Sequence, residues 1–338
     1  MAPDRWPTDE LESVASCPYC AAMERTLAYE GAEDWAFASA PGEWNYWSCG
    51  QCRSLYLNPR PTVETISRAY TRYYTHTGVA GGKTPMVVFK QLLRNEYWSH
   101  IFQTSIQPRL GLPHGLGWPL SLLKPYIAES FGLRQLAHAP KGLLIDVGCG
   151  NGEKLKLAGQ LGWQTLGIEM DASAVEVAQM QGLNVRQGGY EWLERYAGQA
   201  DCLVCSHVLE HVHHPIHLLR LLLAALKPKG ILLLSAPNAA SYLRHHYGGN
   251  WRGLEAPRHL AIPDAAWLME WLRGQGLECT QVPSYAFEMA VESERMARRA
   301  SRVSKQDIAA AKSVLREMVP VSPLQDDIVQ LVCTKVAA

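Results

Sequence analysis

The chain has 338 residues, 47% of them hydrophobic and eleven of them Trp, so it can bury one large core with additions or two unequal ones, and it is not a disordered tail. Lys plus Arg equals Asp plus Glu at 32 each, so no net field draws the chain to a nucleic-acid backbone or an anionic membrane. The start, Met1 to Glu10, is polar and acidic with no apolar h-region, and no later apolar run reaches spanning length. The expectation is a cytoplasmic protein without a membrane partner, its nine Cys kept as reduced thiols.

In chain order, residues 1–61 come first and contain Cys17-Pro-Tyr-Cys20 and Cys49-Gly-Gln-Cys52, with aromatic runs such as Trp44 to Trp47 that suit small strands. Two Cys-x-x-Cys knuckles bring four thiolates together in a tetrahedral zinc site. With no open position left, such zinc is structural, and Cys17, Cys20, Cys49 and Cys52 are its expected ligands. Redox use of one pair is the competing idea. Residues 62–140 carry apolar residues at helical spacing (Ile66, Tyr70, Tyr73; Leu92, Leu93, Tyr97, Ile101), broken by Gly81-Gly82 and by the Pro/Gly-rich stretch from Pro108 to Pro119. They predict a helical lid.

Residues 141–338 alternate strand and helix. Strands are expected at Gly142–Val147, Thr165–Glu169, Asp201–Cys205 and Gly230–Ser235, with helices at Glu153–Leu161, Ala172–Gln181 and Pro215–Leu226 between them. That alternation predicts an α/β fold, a Rossmann-like parallel sheet covered on both faces. A charged helical insertion follows near 286–320, and the final run Asp327–Val336 is expected to return as a strand antiparallel to Glu278–Pro283. Cys149, Cys202, Cys205, Cys279 and Cys333 are read as small core residues in or beside these strands.

Asp146-Val-Gly148-Cys149-Gly150-Asn-Gly152 leaves the first of these strands and enters a helix, so backbone amides can approach a ligand without interference from Cβ atoms. Glu169 ends the next strand about twenty residues on, where a carboxylate can accept both hydroxyls of a ribose. A dinucleotide fingerprint needs a third glycine at position 153. Glu153 stands there, a poor neighbour for a pyrophosphate.

With these residues the sequence resembles the class I, seven-stranded, S-adenosylmethionine-dependent methyltransferases, carrying an N-terminal zinc-ribbon-like module. The resemblance implies that Gly148, Cys149 and Gly150 contact the methionine part of the cofactor, that Asp146 supports the loop, and that Glu169, followed by Met170, binds ribose. It places Gly188-Gly189-Tyr190 near the adenine, although this chain departs there from the family's acidic residue; Gly189 is the candidate contact. It also implies a tyrosine beside the methionine end after the turn Asn58-Pro59-Arg60-Pro61, and Tyr74 is the choice within the cluster Tyr70, Tyr73, Tyr74.

Ser206-His207-Val-Leu-Glu210-His211-Val212 follows the Asp201 strand at the carboxyl edge, where open α/β sheets bind ligands. Ser206 and His207 are expected at the cofactor. His207 is the first candidate base, with His211 or His259 as substitutes. The string His207-x-x-Glu210-His211 also fits an inverted zinc-protease pattern, rejected here because the upstream glycines would then have no use. The segment Pro237-Asn238 … Gly248-Gly-Asn-Trp251 … Pro257-Arg258-His259-Leu260 resembles the acceptor-side loop of bacterial methyltransferases of saccharide and natural-product pathways. By that resemblance Tyr242, Trp251, Arg258 and His259 become acceptor-binding candidates, against the plainer view that Trp251 is core and Arg258 caps a carboxylate.

The reading is therefore methyl transfer to a small or medium-sized acceptor, a sugar or natural-product intermediate, with O-methylation favoured. Two alternatives stand beside it: a zinc-ribbon RNA methyltransferase, which needs a basic stripe beside the pocket, and a non-catalytic cofactor-binding scaffold. The acceptor atom and the oligomeric state are left open.

Overall fold

The computed structural model describes residues 5–71, 85–112, 132–284, 286–317 and 322–337, with the backbone alone at 87, 101, 133 and 323. The N-terminal part holds β1 (Leu11–Glu12), β2 (Arg25–Ala32), β3 (Trp44–Cys49), β4 (Leu55–Leu57) and β5 (Arg60–Pro61). A 3-10 turn follows at Ile66–Tyr70, then α1 (Pro85–Ile101) and α2 (Leu133–His138). The spacing of Ile66 and Tyr70 suggested an α-helix; the chain makes only this short turn, and Tyr73 and Tyr74 lie outside the described residues.

Next comes the alternating part: β6 (Leu143–Val147), α3 (Glu153–Gln160), β7 (Gln164–Glu169), α4 (Ala172–Met180), β8 (Val185–Gln187), β9 (Ala200–Ser206), α5 (Pro215–Ala225) and β10 (Leu226–Pro237). The chain continues through α6 (Tyr242–Tyr247), β11 (Ala261–Ile262), α7 (Ala265–Gly274) and β12 (Leu277–Gln281). It ends with α8 (Phe287–Ala297), α9 (Lys305–Glu317) and β13 (Ile328–Lys335).

Seven strands form one sheet in the order β12-β13-β10-β9-β6-β7-β8. β10, β9, β6, β7 and β8 run parallel, whereas β13 is antiparallel to both β10 and β12. The predicted pairing of the last strand is present, with β13 inserted between β10 and the edge strand β12. Leu144, Ile145, Leu203, Val204, Leu232, Leu233 and Leu234 have almost no exposed surface, because helices cover both faces of the sheet. One face packs against α5 and α7, the other against α1, α2 and α3. This is the Rossmann-like sheet, covered on both faces, that the alternation predicted.

Chain order reverses between β6 and β9: from β6 the chain moves outward to β7 and β8, then returns to lay β9 and β10 on the other side. The loops after β6 and β9 therefore flank a topological switch point at the carboxyl edge, the place where open α/β sheets form their ligand crevice.

A second sheet runs β11-β4-β3-β2. Its edge strand β11 comes from the segment after β10, so the cysteine-bearing part is completed by a strand some two hundred residues later in the chain. Tyr19 donates its hydroxyl to the Ala261 carbonyl at 3.0 Å and meets Trp267 edge-on at 5.6 Å. Ser54 Oγ accepts from Asp264 N at 3.1 Å at the start of α7, and Asp264 caps that helix by accepting from Trp267 N. Cys17, Cys49, Cys52, Tyr19 and Tyr56 thus belong to the same apolar cluster as the large sheet.

One cysteine expectation is corrected. Cys279 and Cys333 are buried as predicted, but they stand directly opposite each other in the β12–β13 pair and are joined as a disulfide. Their register, not their sequence spacing, sets this.

Candidate active site

The loop after β6 begins at Gly148, whose φ of +68° is a left-handed conformation that a side chain resists. A Cβ there would lie 2.4 Å from Val208 Cγ2, so the glycine loop and the segment after β9 pack directly together. Gly150 also has positive φ, +54°, but a Cβ there would meet nothing within 4 Å. Open space at this point fits a ligand approaching the backbone. Gly150 N donates to Glu169 Oε2 at 2.8 Å, and Asp171 N donates to Oε1 at 2.9 Å. Each oxygen keeps a second lone pair for a hydroxyl donor, as ribose binding requires.

Asp146, beneath the loop, is buried; burial raises its pKa to about 6, Lys154 opposing and Glu169 adding to the rise. Cys149 turns its thiol inward. A Cβ on Gly167 of β7 would fall 2.5 Å from the Cys149 sulfur, so only the Cys149 backbone is left for a ligand. Met170 is 74% exposed at the rim, and Ser206 Oγ lies 2.8 Å from Ser235 Oγ at the end of β9. Gly189 opens the turn after β8.

The three histidines named from the sequence gather around one carboxylate, Glu210, which has no exposed surface. His207 has the unusual φ of +55°, holds its backbone with an N–H bond to the Ser235 carbonyl at 2.9 Å, and sets Nδ1 3.1 Å from Glu210 Oε1. Its side chain is 46% exposed. Burial raises the Glu210 pKa, but the hydrogen bond from His207, together with the attraction of the neighbouring His207, His211 and His259 imidazoles whenever they are protonated, brings it below the ordinary carboxylate value. An ionised Glu210 accepts the Nδ1 proton of His207 and so leaves the lone pair on its Nε2.

His211 places Nδ1 3.1 Å from the Arg258 carbonyl and 2.9 Å from the Tyr70 hydroxyl, and its ring meets that of His259 edge-on at 4.7 Å. His259 Nδ1 lies 2.7 Å from the Gly253 carbonyl. Burial lowers the His259 pKa to about 4, Glu255 opposing, so this histidine is neutral near pH 7.

Trp251 and Arg258 are fully buried. Trp251 Nε1 donates to Asp327 Oδ1 at 2.7 Å; Arg258 pairs with Asp34 Oδ1 at 2.5 Å and with Glu255 Oε1 at 3.1 Å. Both side chains brace the segment after β10 from inside and present no surface to an acceptor in this conformation. Tyr242 is half-buried at the start of α6, its pKa pushed up to about 12 by burial, with Asp327 and Asp326 adding. Tyr74 lies outside the described residues, but Tyr70, four residues earlier, does reach the histidine cluster.

Sequence reasoning assigned no role to Glu210, Glu255, Asp34 or Asp327. Glu210 sat in plain view within His207-x-x-Glu210-His211. Asp34 meets Arg258 across 224 positions, and no local pattern announces such a pair.

The four knuckle sulfurs converge as predicted: Cys17 and Cys52 lie 3.4 Å apart, as do Cys20 and Cys49, and all four fall within 4.8 Å of one another. A tetrahedron of sulfurs about 2.3 Å from zinc has edges of about 3.8 Å, so the cluster fits that ion. The hydrogen bond from Cys17, with Ser54 assisting, holds Cys52 down at about 5 against its burial.

Residues 124–282 match the family model described as a methyltransferase domain. The chain carries a methyltransferase domain of the S-adenosylmethionine-dependent kind. This methyltransferase is 29% identical over 184 residues to a ubiquinone biosynthesis O-methyltransferase of Xanthomonas axonopodis pv. citri (strain 306), covering 50% of this chain and 76% of the relative. It is 28% identical over 200 residues to the protein of the same name from Actinobacillus pleuropneumoniae serotype 5b (strain L20), covering 53% and 84%. A solved S-adenosylmethionine-dependent methyltransferase from Archaeoglobus fulgidus superposes with a TM-score of 0.41 at 17% identity, over 58% of this methyltransferase and 86% of that chain. Among the described residues no helix of the methyltransferase is long and apolar enough to cross a membrane.

Proposed function

We propose that this methyltransferase moves a methyl group to a hydroxyl oxygen of a small or medium-sized acceptor, of the sugar or natural-product kind, with His207 taking the hydroxyl proton. The observation that carries this reading is His207 itself: a half-exposed imidazole beside the glycine loop, its Nδ1 held by a buried carboxylate at 3.1 Å. That arrangement fixes the tautomer and leaves Nε2 as the base. The O-methyltransferase names of the curated relatives agree with an oxygen acceptor.

The cofactor, when bound, supplies an electrophilic methyl on sulfur. In this proposal Gly148, Gly150 and the Cys149 backbone hold its methionine part, Glu169 takes the ribose hydroxyls at the rim marked by Met170, Gly189 borders the adenine, and Asp146 and Ser206 support the two loops. Tyr242 is the acceptor-side residue with surface to offer. Structural zinc on Cys17, Cys20, Cys49 and Cys52 keeps residues 1–61 in place.

The test is to incubate the pure protein with labelled cofactor and an extract of its source, then identify the labelled product by mass spectrometry. The expected product carries the label as an oxygen-bound methyl. His207→Ala should lower kcat at neutral pH by about 10²–10⁴-fold, as loss of a general base does. Label on carbon or nitrogen, or unchanged turnover of the variant at every pH, would overturn the reading.

A further inference from the structure

We infer that Glu210, His211 and His259 form a second metal site, distinct from the four cysteines, for one divalent transition ion such as zinc, manganese or cobalt. One ligand atom from each of the three lies within 4.8 Å of the other two. Three details of chemistry support it. Glu210 Oε1 is engaged by His207, whereas its Oε2 is completely buried and has no hydrogen-bond partner among the described residues. Leaving a carboxylate oxygen dry and unpaired is costly, and a cation relieves that cost.

The two histidines are poised as ligands. A carbonyl can only accept, so the contact of His211 Nδ1 with the Arg258 carbonyl requires a proton on Nδ1, and the Tyr70 oxygen then shares that proton. The lone pair of His211 is therefore on Nε2. The same logic at the Gly253 carbonyl puts the proton of His259 on Nδ1 and its lone pair on Nε2. Metal-binding imidazoles are typically oriented by such a bond from the opposite ring nitrogen. Nearby, Glu255 Oε2 stands 3.7 Å from His259 Nε2 and adds negative potential.

Two imidazoles and one carboxylate suit a borderline divalent ion rather than calcium or magnesium, which prefer all-oxygen sets. The three ligands leave positions open for an exogenous oxygen. In the transfer proposed above, an acceptor hydroxyl bound there would lose its proton more readily, and that consequence alone rests on the hydroxyl reading. Metal binding does not.

The experiment titrates Co²⁺ into the full-length protein whose cysteine site has first been saturated with Zn²⁺. The expected result is one further equivalent of Co²⁺ with d–d absorption but no thiolate-to-cobalt charge-transfer band, and a cobalt-edge X-ray absorption spectrum showing imidazole and oxygen without sulfur. Glu210→Gln and His259→Gln, each first checked by circular dichroism for native fold, should weaken that binding by more than the ~10–100-fold that an outer hydrogen-bond partner is worth. No uptake beyond the thiolate site, a sulfur shell, or unchanged affinity in both folded variants overturns the proposal. If the variants do not fold, the wild-type stoichiometry and spectrum decide it alone. Cobalt bound in this way, together with no methyl transfer to any hydroxyl, would overturn the acceptor reading and leave the metal site standing.

Discussion

At Gly148 the positive φ of +68° and the 2.4 Å approach of Val208 to a would-be Cβ act together. Gly148→Ala pays the left-handed strain of about 1–3 kcal/mol and also pushes the loop away from the segment carrying His207. Thermal unfolding should register the first effect, and a cofactor affinity at least ~10-fold weaker by calorimetry the second. Wild-type affinity in the variant would mean that the two loops move independently. His259 gives a residue-scale prediction in pH. Its folded pKa of about 4 is below the unfolded value of about 6.5, so the unfolded chain binds the proton more readily. The stability it contributes is present above about pH 6.5 and is lost as pH falls toward 4, by a few kcal/mol in all. Asp146 and Asp327, both raised to about 6 chiefly by burial, act in the opposite sense over much the same window, since their neutral forms are favoured in the fold. The whole-protein profile is therefore a sum of opposing contributions. The difference in urea-unfolding free energy between wild type and His259→Gln at pH 7.5 and pH 5 isolates the histidine: the gap should shrink at the lower pH, and a constant gap would show that His259 does not charge on unfolding.

At the scale of elements, the segment between β10 and β11 is held from inside by the Arg258–Asp34 pair. Asp34 also accepts from the backbone N–H groups of Phe37, Ser39 and Ala40, so one carboxylate ties a turn of the N-terminal part to the edge of the crevice. Asp34→Ala leaves a guanidinium buried with half its countercharge gone, and breaking a pair of this kind costs about 3–5 kcal/mol. Denaturant unfolding should show that loss, and a change below about 1 kcal/mol would mean that Glu255 suffices for Arg258. The elements themselves were legible because buried parallel strands are continuous apolar runs: Leu143–Val147, Ala200–Ser206 and Gly230–Ser235 needed no long-range information. The glycine loop and the knuckles were legible for the same reason, their chemistry being local. The roles of Trp251 and Arg258 were not. A motif made both acceptor candidates beside the plainer view of a core Trp and a carboxylate-capping Arg, and the partners that decide for the plainer view, Asp327 and Asp34, lie 76 and 224 positions away. The Cys279–Cys333 bond was hidden likewise, since only the β12–β13 register sets the two sulfurs face to face.

For the whole molecule, the question is whether the cysteine-bearing part is an appendage or a structural member of the fold. β11 closes its sheet, Tyr19 and Ser54 bond to residues 261 and 264, and its sulfurs sit in the same apolar cluster as the large sheet. A metal on those sulfurs accordingly stabilises more than the knuckles, because β11 leads directly into α7, and α7 packs on the sheet beside β12. Structural zinc in small domains is worth about 10–16 kcal/mol, and even ~5 kcal/mol of that felt across the fold would lower the melting temperature by roughly 7 °C. Chelation, or Cys49→Ser, should therefore produce a single cooperative transition at lower temperature, and amide exchange should accelerate at residues 261–272 as well as at 11–61. The geometry also predicts loss of the histidine cluster's order, since His259 lies two residues before β11. Two separate transitions, with exchange in α7 unchanged, would show instead that the cysteine part melts alone while the methyltransferase sheet stands without it.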